Sequence, residues 1–560
     1  MLRINRLDKY YARRFIFRIE LTFEKGVFMD IKQAVTQWTE ILPPESVLTD
    51  EAILQEYETA TYHTPHSVVA ILKPHNKEQL QQIVKIASKH KAPLYPISTG
   101  KNWGYGSSVP TSNNCTIVDL GKMNKILDFD QDLAYVTLEP GVTQKQLYDF
   151  LQSKNAPLWI DATGSSSQCS IIGNTLERGF GHTPYGDHFS NVCGLEVILA
   201  SGESFHTGFG RFSNAEAANV YKWGVGAHLD GLFSQSNFGI ISKMTIWLMP
   251  APEYTQVFFC NVNKDELSDL VNSLRPLRLN GTLKSAMHIV NAHKAVSAFG
   301  QYPWKEVNDV TPLPSDWLEK QCKKSKIGGW NASGALYGTK AEVALARKKL
   351  KNALKHIKSV KFFFLDDRLI KIAKMIKKPY QWLTGVDLEK ALEIVEPLFA
   401  LKQGIPSNTF LPSTYWRKKT PAPAADEADP DKDKCGLLWL APIAPMTGQH
   451  AVILEKIIED TLIKYGFDPA ISMTLLTERC IDSVIAITYD RERPGEEERA
   501  LTCHDELLKK LIEKGYYPYR LSTHAMGQLP LPEQGYESAI SKIKQSLDPD
   551  NIFSPGRYEN

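Results

Sequence analysis

At 560 residues the chain is too long for one ordinary hydrophobic core, so two or three domains are expected. An apolar share of 43%, a charged share of 23% and a net charge of +2 are those of a globular protein and give no argument for nucleic acid or a membrane surface as partner. Eight cysteines lie scattered without CxxC pairs or histidines at zinc spacing, which argues for reduced thiols in the cytoplasm and against a disulfide framework or a metal site.

The N-terminus opens basic, with Arg13-Arg14, but Arg18, Glu20, Glu24 and Lys25 interrupt the apolar residues after it and no leader core forms. Met29 precedes the first well-patterned segment, so residues 1–28 are expected to be a disordered extension. No apolar stretch is long enough to span a bilayer. Ile31, Val35, Trp38 and Ile41 then recur at helical spacing, up to the turn Leu42-Pro43-Pro44. A strand over 67–72 and an amphipathic helix over 77–90, with Leu80, Ile83, Val84 and Ala87 on one face, lead into an apolar strand at 92–97.

There the chain reads PISTGKNWGYGSS (96–108), the stretch on which the rest is organised. Gly100, Gly104 and Gly106 let the backbone take positive φ and approach a ligand closely. Successive N–H groups in such a turn make a concave anion site, with phosphate or pyrophosphate as the natural occupant. The spacing is neither GxGxxG nor GxxxxGK[ST], and a plain surface turn is the competing reading. The strand–helix–strand setting favours the phosphate.

Strands at 116–120 and 134–138, a turn at 140–142 and a helix at 144–152 come next. A second glycine-rich stretch, GSSSQCSIIGNTLERGFGHTPYG (164–186), is suited to close backbone contact with an extended ligand. Residues 192–200 and 204–207 read as a hairpin, and 231–250 ends in a β-rich run closed by Pro250. From 254 to 507 strands such as 255–261 alternate with long helices such as 340–358, in an α+β manner. The interval 418–434, rich in Pro, Ala and charge, reads as a mobile surface loop. Beyond 508 come a helix, the YYPYR segment at 516–520 and a last helix before LDPDNIFSPGRY.

Together STGKNWGYG (98–106), VDLGKMNKIL (118–127), LEPGVTQKQLYDFL (138–151), IIGNTLERGFGHTPYGDH (171–188), FSQSNFGIISKMTIWLMP (233–250) and LDPDNIFSPGRY (547–558) resemble the flavoprotein family of vanillyl-alcohol oxidase and p-cresol methylhydroxylase. The resemblance runs from about residue 42 to the C-terminus. It implies an α+β, two-domain FAD-linked oxidase, with a FAD-binding domain over 29–253 and 508–560 and an inserted cap over 254–507. By the same resemblance Ser98, Thr99, Gly100, Lys101, Asn102, Gly104, Tyr105, Gly106 and Ser107 cradle the FAD pyrophosphate. Pro140, Gly141, Ser170, Gly173, Asn174, Gly179, Gly181, Tyr185, Gly186, Gly239 and Ile240 run along the cofactor.

In phenol-oxidising members a tyrosine of the glycine loop and a Tyr-Arg pair near the C-terminus hold the phenolic oxygen, and here Tyr105, Tyr519 and Arg520 match them. One guanidinium and two phenol O–H donors suit an oxyanion. The implied reaction is hydride transfer from the benzylic carbon of a 4-substituted phenol to flavin. Two departures stand out. Ser165 falls where vanillyl-alcohol oxidase carries an aspartate near the flavin, and a serine is no carboxylate base. The base is missing, displaced or supplied by another group; Asp161 would serve only if the backbone shifted. No His or Tyr precedes 437–442 where covalent flavin attachment is made in this family, only Cys435, so non-covalent FAD is expected. An oxidase of a non-phenolic alcohol, hydroxy acid or biosynthetic intermediate, and a flavin-binding protein without turnover, are the alternative readings. A homodimer and a cytochrome partner are compatible with the resemblance, though nothing in the sequence marks either.

Overall fold

The structure is a computed structural model that describes residues 31–384 and 388–559; the 1–28 extension lies outside them. Helix α1 (Ile31–Ile41) buries Trp38, whose indole N–H donates to the Ile83 carbonyl at 3.2 Å. After the short helix α2 (Glu51–Tyr57), helix α3 (Lys77–His90) supplies that carbonyl and buries Leu80, Ile83, Val84 and Ala87 on one face. Asn76 starts α3 by accepting the Gln79 N–H at 2.9 Å, and Lys91 ends it with φ +50°.

Both α1 and α3 pack on a four-stranded sheet of β1 (Val47–Leu48), β2 (Val68–Leu72), β3 (Leu94–Ile97) and β4 (Cys115–Asp119), in the order β1-β2-β4-β3. β2, β4 and β3 run parallel, which requires the α3 crossover, and their apolar runs are buried as parallel strands are. The far C-terminus closes this sheet. Leu94 N–H donates to the Ile552 carbonyl at 2.7 Å and Ser554 N–H to the Leu94 carbonyl at 2.8 Å, with Ile552 and Phe553 buried in the same core.

A second, antiparallel sheet holds β5 (Ile126–Asp130), β6 (Tyr135–Leu138), β7 (Val192–Ile198), β8 (Ser204–His206) and β9 (Ile240–Trp247), ordered β5-β6-β9-β7-β8. Between β6 and β7 lie helix α4 (Gln144–Ser153) and a short helix α5 (Ile171–Leu176) inside the glycine-rich stretch.

The third sheet has eight antiparallel strands: β10 (Tyr254–Val262), β11 (Met287–Asn291), β12 (Trp330–Gly338), β13 (Lys361–Leu365), β14 (Cys435–Leu440), β15 (Ile443–Pro445), β16 (Ile471–Leu475) and β17 (Cys480–Asp490). Their order is β13-β10-β12-β11-β16-β17-β14, with β15 also paired to β17. Side chains alternate across a strand. Met287, Ile289, Ile471, Met473 and Leu475 join the hydrophobic core of one face, while His288, Val290, Ser472 and Thr474 turn to the other, where the site lies. Helix α6 (Leu267–Leu279) belongs to that core face; α7 (Ala292–Ser297) and α8 (Ser315–Ser325) stand at the other. Next in the chain are α9 (Lys340–Leu354), α10 (Asp367–Thr384), α11 (Leu388–Leu401), α12 (Gly448–Lys464) and α13 (Glu496–Glu513). α9, α12 and α13 complete the core face, the last of them ending at Glu513. The last helix, α14 (Gln534–Leu547), sets Ile540, Ile543 and Leu547 against the second sheet's core.

The interval 418–434 differs from its expectation as a mobile loop, because most of its charges have partners. Buried Lys418 reaches Asp490 at 3.2 Å and Glu492 at 2.8 Å. Asp431 accepts from Ser107 Oγ at 2.8 Å, and Asp429 meets Lys101 at 3.4 Å. All eight cysteines are free, and no described helix is long and apolar enough to cross a membrane.

Candidate active site

Between the glycine loop, the 163–182 stretch and the bare face of the third sheet lies a cavity of about 2140 Å³. Typical small-molecule pockets measure about 300–1,000 Å³, so this one has room for an extended cofactor and a substrate together. Of the residues expected to hold the cofactor, Ser98, Thr99, Gly100, Lys101, Asn102, Tyr105 and Ser107 line it, as do Pro140, Ser170, Gly173, Asn174, Gly179, Gly239 and Ile240. The amides of Gly104, Tyr105 and Ser107 are taken, the first by Thr61 Oγ1 at 3.0 Å and the other two by the Asn102 carbonyl at 3.1 and 3.0 Å. The amides of residues 99–103 have no hydrogen-bond partner among the described residues, which leaves them available to an anion.

The other expected glycines pack rather than line. Gly104 has φ +78°, and a Cβ there would be driven into the Trp439 indole. Gly106 stands against Thr523 in the same way, and Gly141 lies over the Gly121 carbonyl. Gly181 donates its N–H to the Gly186 carbonyl at 3.0 Å around a turn that also holds Tyr185, with Gly181 against Asp161. Gly104→Ala is expected to lower both flavin content and melting temperature. The left-handed backbone alone costs about 1–2 kcal/mol, before the indole is displaced. Flavin-to-protein absorbance and thermal unfolding read the two effects; unchanged values in both would show that the loop tolerates a side chain there.

Tyr105, Tyr519 and Arg520 come together on the wall of this cavity. The Arg520 guanidinium lies 4.3 Å over the centre of the Tyr105 ring. Its Nε donates to Glu177 Oε2 at 3.1 Å and its Nη2 to Asn102 Oδ1 at 2.5 Å. Burial pushes the Tyr519 phenol up to about 12, against the pull of Arg520 and Tyr105, and raises Tyr105 well above its usual value. Both hydroxyls therefore stay protonated donors at neutral pH.

Sequence reasoning missed what holds this cluster. Glu177 also pairs with Arg557 and accepts from the Tyr558 hydroxyl at 2.8 Å, while Arg557 reaches the Tyr95 hydroxyl at 2.6 Å. Burial alone would raise the Glu177 carboxyl, but Arg557 and Arg520 hold it down to about 2. Asp482, on β17, is fully buried; neither oxygen has a partner among the described residues, and burial pushes its carboxyl well up. The signal available was a charged residue near a glycine, the glutamate of NTLERG and the arginine of SPGRY.

Ser165 lines the cavity and is engaged with Thr163 Oγ1 at 2.8 Å and Cys169 Sγ at 3.1 Å. Asp161 offers no substitute. It accepts the His182 N–H at 3.0 Å, the Thr183 N–H at 2.6 Å and a His188 ring nitrogen at 2.9 Å, facing away from the cavity. His182 and His288 meet across the junction with ring centres 4.3 Å apart. Burial and then the Lys402 charge lower both, His182 to about 3, so the pair is neutral.

A family profile described as "FAD binding domain" matches residues 68–208. The 1'-carboxy-chondrochloren decarboxylase of Chondromyces crocatus is 40% identical over 94% of this chain and 97% of its own length. The flavoprotein subunit of 4-cresol dehydrogenase [hydroxylating] of Pseudomonas putida is 31% identical over 95% of this chain and 96% of its own. Among solved structures, p-cresol methylhydroxylase with substrate bound superposes with a TM-score of 0.85 at 30% identity, covering 96% of this chain and 98% of that one. The glycine-walled cavity with free loop amides fits FAD, and the fold, an FAD-binding domain with an inserted α+β cap, is shared along the whole described length. The chain belongs to the vanillyl-alcohol oxidase/p-cresol methylhydroxylase family of FAD-dependent oxidoreductases.

Proposed function

We propose that the protein oxidises a 4-substituted phenol at its benzylic carbon, and that its substrate carries a carboxylate on the next carbon, which leaves as CO2. The observation that carries the phenol is the cluster of Tyr105, Tyr519 and Arg520 on the cavity wall. Bound FAD supplies the hydride acceptor. The two tyrosines and the guanidinium hold the phenolic oxygen as an oxyanion, whose electron density eases departure of the benzylic hydride. The oxidised substrate is then a quinone methide. Breaking the adjacent C–COO⁻ bond sends its electron pair into a new C=C bond and returns the ring to phenolate. That route needs neither water nor a carboxylate base. It agrees with Ser165 at the expected base position and with the decarboxylase at 40% identity. The hydroxylating 4-cresol dehydrogenase at 31% identity supports the second reading, in which water adds to the quinone methide instead.

Anaerobic flavin reduction by 3-(4-hydroxyphenyl)propanoate, 4-ethylphenol, lactate and glucose tests this. Bleaching by the phenols alone is expected, with 4-vinylphenol and CO2 formed from the propanoate. A hydroxylated acid as product would favour the second reading. No bleaching by any phenol would overturn the phenol class in favour of a non-phenolic alcohol or hydroxy acid.

The flavin is held without a covalent bond in this reading. Cys435 is fully buried off the cavity wall, and burial raises its thiol, which makes it a poor nucleophile. Acid precipitation is expected to leave a colourless pellet under a yellow supernatant; a yellow pellet that fluoresces on a denaturing gel would show covalent attachment.

A further inference from the structure

We propose that Lys294 anchors the substrate's carboxylate, so that the cap wall selects an anionic phenol; this rests on the phenol reading above. Lys294 stands on α7 and lines the cavity. Among the described residues its ammonium has no hydrogen bond or ion pair, and only burial acts on its proton affinity, with no carboxylate to offset it. An enclosed charge without a counter-charge is costly, and a ligand that brings one removes the cost.

Its position fits. The ammonium lies 5.9 Å from the centre of the Trp439 ring. Trp439 donates its backbone N–H to the Gly104 carbonyl at 3.2 Å, and its indole packs on Gly104, the residue before Tyr105. One indole therefore separates Lys294 from the loop that carries the phenol-binding tyrosine. A phenol held at Tyr105 by its oxygen points its 4-substituent away from that oxygen, along the cavity.

Exposed lysines elsewhere in the cavity lining have the matching sign. Lys264 is neutralised by Glu459 at 2.7 Å and Lys323 by Glu319 at 3.8 Å, but Lys326, Lys358 and Lys361 line the cavity with no acidic partner among the described residues. The whole chain carries only +2, so this surplus is local. A cleft of one sign draws in ligands of the other.

The test uses the FAD-loaded protein, its Lys294→Met variant, which removes the charge at similar volume, and Lys294→Arg, which keeps it. The measured quantity is the preference for 3-(4-hydroxyphenyl)propanoate over 4-ethylphenol, taken as the ratio of anaerobic flavin-reduction rates at low substrate. Loss of a charge-assisted contact is expected to cut this ratio about 10- to 100-fold in Lys294→Met, and Lys294→Arg should retain most of it. The affinity for 4-hydroxycinnamate, which has no benzylic hydride to give, is followed as a shift of the flavin spectrum and should fall by a similar factor. An unchanged ratio and affinity, or loss of flavin from Lys294→Met, would overturn the anchor. Should no phenol reduce the wild-type flavin, the phenol reading fails by itself, and weakened 4-hydroxycinnamate binding in Lys294→Met still decides for Lys294.

Discussion

Arg520→Lys is expected to slow anaerobic flavin reduction by a phenol about 10²–10³-fold, roughly 3–4 kcal/mol, the usual effect of losing an oxyanion donor. The geometry says why a retained charge is not enough. Arg520 meets Glu177 through Nε at 3.1 Å and Asn102 through Nη2 at 2.5 Å, while its plane covers the Tyr105 ring. A lysine ammonium is a point charge without the planar fork, so it cannot serve the glutamate, the asparagine and a phenolate together. Flavin content should hold, because the free amides of residues 99–103 and the glycine walls are left intact. Tyr519→Phe should be milder, about tenfold, since one neutral donor is lost and the ring stays. Equal reduction rates in wild type and Arg520→Lys would remove Arg520 from the chemistry. Loss of flavin would make it structural.

Much of this site was legible because it is written in local signals. The α3 helix shows its apolar face in sequence, and the glycine loop comes directly after the next strand. Family resemblance then brought Tyr105 to the Tyr519-Arg520 pair across more than half the chain. What stayed hidden depends on partners that sequence does not pair. Glu177 is 343 residues from Arg520 and 380 from Arg557, so nothing nearby marks it as the counter-charge of both. The 418–434 interval has the composition of a solvated loop, yet its acids answer Lys101 and Ser107 some 328 and 324 residues earlier. Helix α5 spans only six residues, too few for a 3.6-residue period to show. The glycines divide for the same reason. Gly173, Gly179 and Gly239 border the cavity, whereas Gly104 and Gly106 make room for Trp439 and Thr523, whose approach is set by the cap and the C-terminal return.

Glu177→Gln is expected to destabilise the protein by about 3–5 kcal/mol, because removing one member of a buried ion pair leaves the other charge uncompensated. Here two guanidiniums lose their partner at once. Arg520 and Arg557 both converge on this carboxylate, and its side chain is 17% exposed, onto the cavity. Glutamine keeps an acceptor, so the lower end of the range is the better expectation. Glu177 acts as a positioning residue, and freeing Arg520 should also slow phenol-dependent flavin reduction. The pH dependence separates this from a plain packing defect. With its carboxyl held near 2 in the folded protein against an ordinary 4.5, Glu177 contributes stability that is fully present above about pH 4.5. That contribution fades as pH falls from 4.5 toward 2, because the folded state then gives up its advantage for the charged form. The gap in denaturant midpoint between wild type and Glu177→Gln should accordingly be widest at pH 6–7 and begin to narrow below about pH 4.5. A gap that stays constant from pH 7 down to 3.5 would mean that the carboxylate charge is not what holds Arg520 and Arg557 in place.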